Sequence, residues 1–110
     1  KADTDEMNYF TKISYLNFLN REKIIASNKL AIDVQSNLLG AVKSKFKVVD
    51  GGVREAPFWV LVGAQMPAVL IEAGYISNDK DHKLLSNKTY RDKIALGIAN
   101  GIDDYFVKNR

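Results

Sequence analysis

Apolar positions recur with helical spacing through the first third of the chain. Asp3 to Phe46 contain no Pro, and no Gly before Gly40. Ile24, Ala31, Val34, Leu38 and Ala41 fall near one face at roughly 3.6 residues per turn, the pattern of an amphipathic helix. Asn20 is suited to cap a helix opening near Arg21. Lys43, Lys45 and Lys47 follow, where cations suit the negative end of a helix dipole. The preceding "NYFTKISYLNFLNRE" is aromatic and Asn-rich and carries a weaker helical signal.

The pattern changes after Phe46. "VVDGGVREAP" reads as a turn, because Asp50-Gly51-Gly52 supplies the positive φ that tight turns use. "FWVLVG" (Phe58 to Gly63) and "AVLIE" (Ala68 to Glu72) are short runs, continuous rather than alternating. Such runs predict strands covered on both faces, in a parallel or mixed sheet. Their length alone leaves a buried helical segment open. Two strands make a poor sheet by themselves, which hints at further sheet elsewhere in the parent protein. "ISNDKDHKLL" then predicts a helix start, with Ser77 or Asn78 as cap and Asp79 and Asp81 in the first turn. From Ser86 to the end a second helix places Tyr90, Ile94, Ile98, Gly101, Ile102 and Tyr105 on one face. Gly97 and Gly101 stand four apart. Interior Gly costs about 1 kcal/mol against Ala, so a close approach to a neighbouring element is expected there. The predicted order is helix, strand, strand, helix, helix, an α/β arrangement without internal repeat or linker.

Composition narrows the picture a little. The 110 residues are 46% hydrophobic and 26% charged, ordinary globular usage. The absence of cysteine removes disulfides, thiolate zinc sites and cysteine nucleophiles. A net charge of +3 is mild basicity, suited to an anionic partner such as nucleic acid or cell-wall polymer. No run is long enough to span a membrane, and no signal-peptide pattern is present. The first residue is Lys, which is expected to mark a mature terminus, a cloning boundary or a proteolytic cut.

Candidate chemistry centres on Glu72. An ionised carboxylate at the end of an apolar run must be paired, hydrogen-bonded or metal-bound if buried. Two readings stand: a general acid/base or metal-linked carboxylate at a strand's C-terminal end, or a structural Glu that caps the following turn or pairs with a Lys or Arg. His82 is the only histidine and sits between Asp81 and Lys83. With no partner set around it, it reads as an exposed helix residue, and no residue is assigned as a metal ligand. "KSKFK" (Lys43 to Lys47) reads as a solvated helix end rather than a nucleic-acid patch. "DTDE" (Asp3 to Glu6) reads as a helix start rather than a cation site. No nucleophile elbow or phosphate-cradling Gly loop occurs.

The pieces "SNKLAIDVQSNLL", "GGVREAPFWVL", "MPAVLIEAGYISN", "KLL" and "YRDKIALGIANGIDDYF" occur in an order and spacing that resemble a known family. Ser27 to Phe106 is similar to the C-terminal part of the catalytic domain in zinc-dependent N-acetylmuramoyl-L-alanine amidases of the cell-wall, Amidase_3-like type. The resemblance implies a mixed β-sheet flanked by helices, with residues 1–110 as the C-terminal half of one domain. It implies hydrolysis of the amide joining N-acetylmuramic acid to the L-Ala of the stem peptide. Glu72 matches the catalytic glutamate of the family's "E-G-[FY]-ISN" block, a base and acid beside zinc-bound water. Gly74 would permit the turn behind it, and Ser77 and Asn78 would hold that turn. The family's "GHGG" and "HAN" blocks, which carry the zinc ligands, do not occur here. Zinc ligands are therefore expected in an upstream half, and this chain alone is expected to be inactive.

Some relatives in cell separation carry a regulatory insertion before the helix matching Ser27 to Leu39, and residues 1–20 read as the tail of one. That reading implies autoinhibition relieved by an activator protein. Arg54, in "GVREA", is placed against an acidic stem-peptide group, with a surface turn residue as the plainer alternative. Peptidoglycan and the upstream half are the implied partners, with no nucleic acid. The implied location is periplasmic or extracellular. The rival reading is a non-catalytic cell-wall-binding module of the same fold. A weaker one is a nucleic-acid-binding α/β domain, which would require a steep salt dependence.

Overall fold

The computed structural model describes residues 2–56 and 59–110, with side chains described from Glu6 onward except those of Met7, Pro57 and Phe58. Among the described residues, three α-helices and one 3₁₀ turn make up the regular structure. Helix α1 runs unbroken over Ala2–Lys43. A short 3₁₀ turn covers Trp59–Leu61, followed by α2 over Asp79–Leu85 and α3 over Lys88–Lys108.

The expected α/β architecture with a mixed sheet is overturned: among the described residues no segment is a strand. The reason is the missing lateral partner. Extended backbone becomes a strand only when its N–H and C=O groups meet a neighbouring chain. The first apolar run instead tightens on itself, with the Val62 N–H donating to the Trp59 carbonyl at 3.2 Å and the Ala64 N–H to the Leu61 carbonyl at 3.2 Å. Phe58, which opens that run, lies outside the described residues. The second run, Ala68 to Ile71, takes no regular secondary structure and is anchored to α1 where the Ala68 N–H donates to Ser27 Oγ at 2.9 Å. The expected cap at Asn20 is also corrected, because Asn20 lies well inside α1. No Pro or Gly interrupts the helix there, so nothing forces a new start.

The helical expectations at the other end hold. Asn78 is the N-cap of α2, its side chain accepting from the Asp81 N–H. Asn87 caps α3 in the same way, accepting from the Tyr90 N–H. Helix α3 packs along α1, and Gly97 and Gly101 are where the two backbones meet. A Cβ added at Gly97 would lie 2.7 Å from Leu38 Cα, and one at Gly101 would lie 2.5 Å from Val34 Cα. The close approach expected of these glycines is thus to α1, and the pairing of 97 with 38 and 101 with 34 makes the helices antiparallel.

Polar contacts fasten the same seam. Lys108 Nζ pairs with Asp33 Oδ1 at 2.6 Å, and Asp33 is buried. Asn37 Nδ2 donates to the Asp33 carbonyl at 2.8 Å and to Asp104 Oδ2 at 2.9 Å. Val34, Val42 and Tyr90 are the buried apolar residues of this seam, and Phe46 packs edge-on to Tyr90 at 5.0 Å.

Candidate functional site

Helix α1, the 48–56 loop and the 68–75 segment enclose a wide, open groove of about 1120 Å³. Its floor is the helical face expected from the sequence, with Ile24, Ala31, Val34 and Leu38. Val69 and Ile71 face it from the second apolar run, and Glu72 and Arg54 both line it. The structure therefore brings the two sequence-predicted site residues to one cleft.

Glu72 is exposed rather than buried. Among the described residues its carboxylate has no hydrogen-bond or ion-pair partner. Neither the capping nor the ion-pairing role available to a structural Glu is seen among them. The turn just beyond Glu72 is tightly held. Gly74 has φ +153°, a conformation that L side chains rarely adopt. The Tyr75 N–H donates to Asp81 Oδ2 at 3.0 Å. The Asn78 N–H donates to the Tyr75 carbonyl at 3.0 Å. A Cβ at Gly74 would come within 3.2 Å of Asp81 Cβ. Asp81 thus works from the third position of α2 back to the chain before it, a variant of the reciprocal capping box. Asn78 takes the role expected of it, whereas the sequence suggests for Asp81 only a charge near the helix dipole. The signal available was the N-x-x-D spacing of Asn78 and Asp81.

The loop bearing Arg54 is fixed to α1 through Asp50. Asp50 Oδ1 accepts from Gln35 Nε2 at 2.8 Å and from the Gly52 N–H at 2.8 Å, while Gly52 adopts φ +81°. The Gln35 amide, then the Gly52 N–H and the Lys43 charge, hold the Asp50 carboxyl below the usual carboxylate range. Arg54 itself is exposed two residues further on. Ser27, which holds the second run, and Gln35 are contributors that sequence reading missed, since their partners lie 41 and 15 residues away.

His82 is exposed on α2, as expected. Lys43, Lys45 and Lys47 are exposed while Phe46 turns inward onto Tyr90, which fits a solvated helix end. The side chains of Asp3, Thr4 and Asp5 lie outside the described residues. Among the described residues no group of three or more His, Cys, Asp or Glu could hold a metal ion. No described helix is long and apolar enough to cross a membrane.

Glu72, unpartnered among the described residues, thus precedes a pinned turn and borders an open groove with an apolar floor. The chain belongs to the Amidase_3 family of N-acetylmuramoyl-L-alanine amidases, whose profile matches residues 6–104. It is 41% identical over 80 residues to the uncharacterized protein YqiI of Bacillus subtilis, covering 73% of this chain and 37% of that protein. It is 36% identical over 78 residues to the N-acetylmuramoyl-L-alanine amidase AmiA of Salmonella typhimurium, covering 71% and 27%. The amidase LytC of B. subtilis is 34% identical over 80 residues, covering 73% of this chain and 15% of LytC. The chain thus spans well under half the length of these relatives. No solved structure shows a significant match.

Proposed function

We propose that this chain is the C-terminal part of the catalytic domain of a peptidoglycan hydrolase, and that it contributes the proton-transfer residue Glu72. The bond cleaved is the amide between N-acetylmuramic acid and the L-Ala of the stem peptide. The reading rests on the family membership and on one observation: among the described residues the Glu72 carboxylate is unpartnered, and it borders the groove just before a turn that Asp81 and Asn78 hold. In amide hydrolysis an attacking water must lose a proton and the departing amine must gain one. A single carboxylate with open access can take the first and deliver the second. The turn held at Tyr75 anchors one end of the segment that carries Glu72.

The family is zinc-dependent by resemblance, yet the described residues do not make a zinc site. The metal would be held by residues outside this chain, which alone would be inactive. Arg54, which also lines the groove, is the candidate for an acidic group of the stem peptide. A bacterial cell-envelope location, periplasmic or extracellular, belongs to the same proposal. So do a role in cell separation, and the reading of residues 1–20 as the tail of an autoinhibitory insertion released by an activator.

The test compares this chain alone with the chain joined to its upstream coding sequence, scoring zinc content and release of muropeptides. The joined form is expected to bind about one zinc and to cleave. Glu72→Gln in that form is expected to keep the zinc and lose cleavage. A joined form that is metal-free and inert yet still binds sacculi would replace this reading with a non-catalytic wall-binding module.

A further inference from the structure

The part of α1 that precedes the groove carries a second message. Asn8 to Glu22 are all exposed, including Tyr9, Phe10, Leu16 and Phe18 at 63%, 65%, 50% and 54%. A helix with large apolar residues on several sides is normally covered.

One stripe on this arm has a regular register. Glu6, Tyr9, Ile13, Leu16, Asn20 and Lys23 are separated by alternate steps of three and four, the a/d spacing of a coiled coil. The stripe is also self-complementary when reversed. Aligned antiparallel with itself, it sets Ile13 against Leu16, Tyr9 against Asn20 and Glu6 against Lys23, and each pairing occurs twice. The centre is apolar, the next layer matches a phenol with an amide, and the ends match opposite charges. In the parallel alignment Glu6 would face Glu6 and Lys23 would face Lys23. Phe10 and Leu19 flank the stripe and widen the apolar contact.

We infer that Glu6 to Lys23 pairs with the same segment of a second copy of this protein, antiparallel, about a two-fold axis between Ile13 and Leu16. The interface is isologous, the usual form for a homodimer. The paired segment is 18 residues, roughly 27 Å long, two and a half heptads. Asn20 and Lys23 also border the groove, so the far end of each partner arm would lie beside it. The inference does not depend on the amidase reading.

The test uses the full-length protein and light scattering coupled to size exclusion. Wild type is expected at twice the protomer mass, and Ile13→Asp at one. Glu6→Lys and Lys23→Glu should each weaken dimerisation roughly fivefold, because two attractive contacts become repulsive. The double variant Glu6→Lys/Lys23→Glu should restore it, which a variant that merely misfolds would not do. Mixing Glu6→Cys protein with Lys23→Cys protein should give an intermolecular disulfide, while Glu6→Cys alone should not self-link through this position. A wild-type protomer mass at every concentration overturns the inference. So does a dimer indifferent to Ile13→Asp, a double variant that is not restored, or Glu6→Cys self-linking.

Discussion

Gly101 of α3 lies so close to Val34 of α1 that even a methyl group at position 101 would sit 2.5 Å from the Val34 Cα. The neighbour is backbone and cannot swing aside. Gly101→Ala is therefore expected to destabilise the protein by about 1–3 kcal/mol, the usual cost of overpacking. Gly40 is the counter-case: it is exposed within α1 and a Cβ there meets nothing within 4 Å. Gly40→Ala should stabilise by up to about 1 kcal/mol through helix propensity alone. Urea midpoints of the two variants decide the matter, and equal shifts of the same sign would refute the packing account.

Glu72→Gln should leave the thermal midpoint nearly unchanged, because the described residues give its carboxylate no partner to lose. Under the proposed function, muropeptide release by the joined form should fall by about 10² to 10⁴-fold, the range for loss of general acid–base catalysis. A large drop in stability would instead assign Glu72 a structural role.

Asp81 is predicted to matter through the turn just beyond Glu72. Asp81→Ala removes the acceptor for the Tyr75 N–H and should cost about 1 kcal/mol, with reduced activity beside it. Asp81→Asn keeps an acceptor oxygen and should recover much of both. Hydrogen exchange at the Tyr75 amide gives the direct readout: faster in Asp81→Ala and near wild type in Asp81→Asn.

Alkaline conditions should loosen the α1–α3 seam. The hydrogen bond to Asp33 and the Asp33 charge raise the Lys108 ammonium above its ordinary value. Burial, with the Asp81 charge second, raises the Tyr90 phenol. A raised folded value means that the stabilisation is complete below the unfolded value and disappears as pH climbs through the folded one. Both losses fall above about pH 10. The midpoint measured from pH 8 to 12 should decline less steeply in Lys108→Met and in Tyr90→Phe than in wild type. Parallel curves would remove these groups from the account.

Much of the helical frame was legible in the residues. Asn78 announced its helix through local capping chemistry, and the Gly97–Gly101 spacing announced a close approach. The expected sheet is absent among the described residues. "FWVLVG" and "AVLIE" carry an extended tendency, but a strand also needs a partner many residues away, and local composition does not supply one. Asn20 misled because a good cap residue caps only where a helix begins, and "NYFTKISYLNFLNRE" continues the helix through it. At the site, Glu72 and Arg54 stand out by motif alone, and their shared groove appears only in three dimensions. Asp33 with Lys108, Asn37 with Asp104 and Ser27 with Ala68 join positions 41 to 75 residues apart. Nothing short-range in the sequence connects them.

The unbroken course of α1 has a mechanical consequence. Its 42 residues make a rod of roughly 63 Å with no proline and a single glycine near its far end. Such a rod has no hinge between Tyr9, at one end, and Val34 and Leu38, which floor the groove and grip α3. A sideways load on the outer turns is therefore delivered to the groove floor as tilt, not absorbed along the way. The helix is a lever whose fulcrum is the glycine contact with α3.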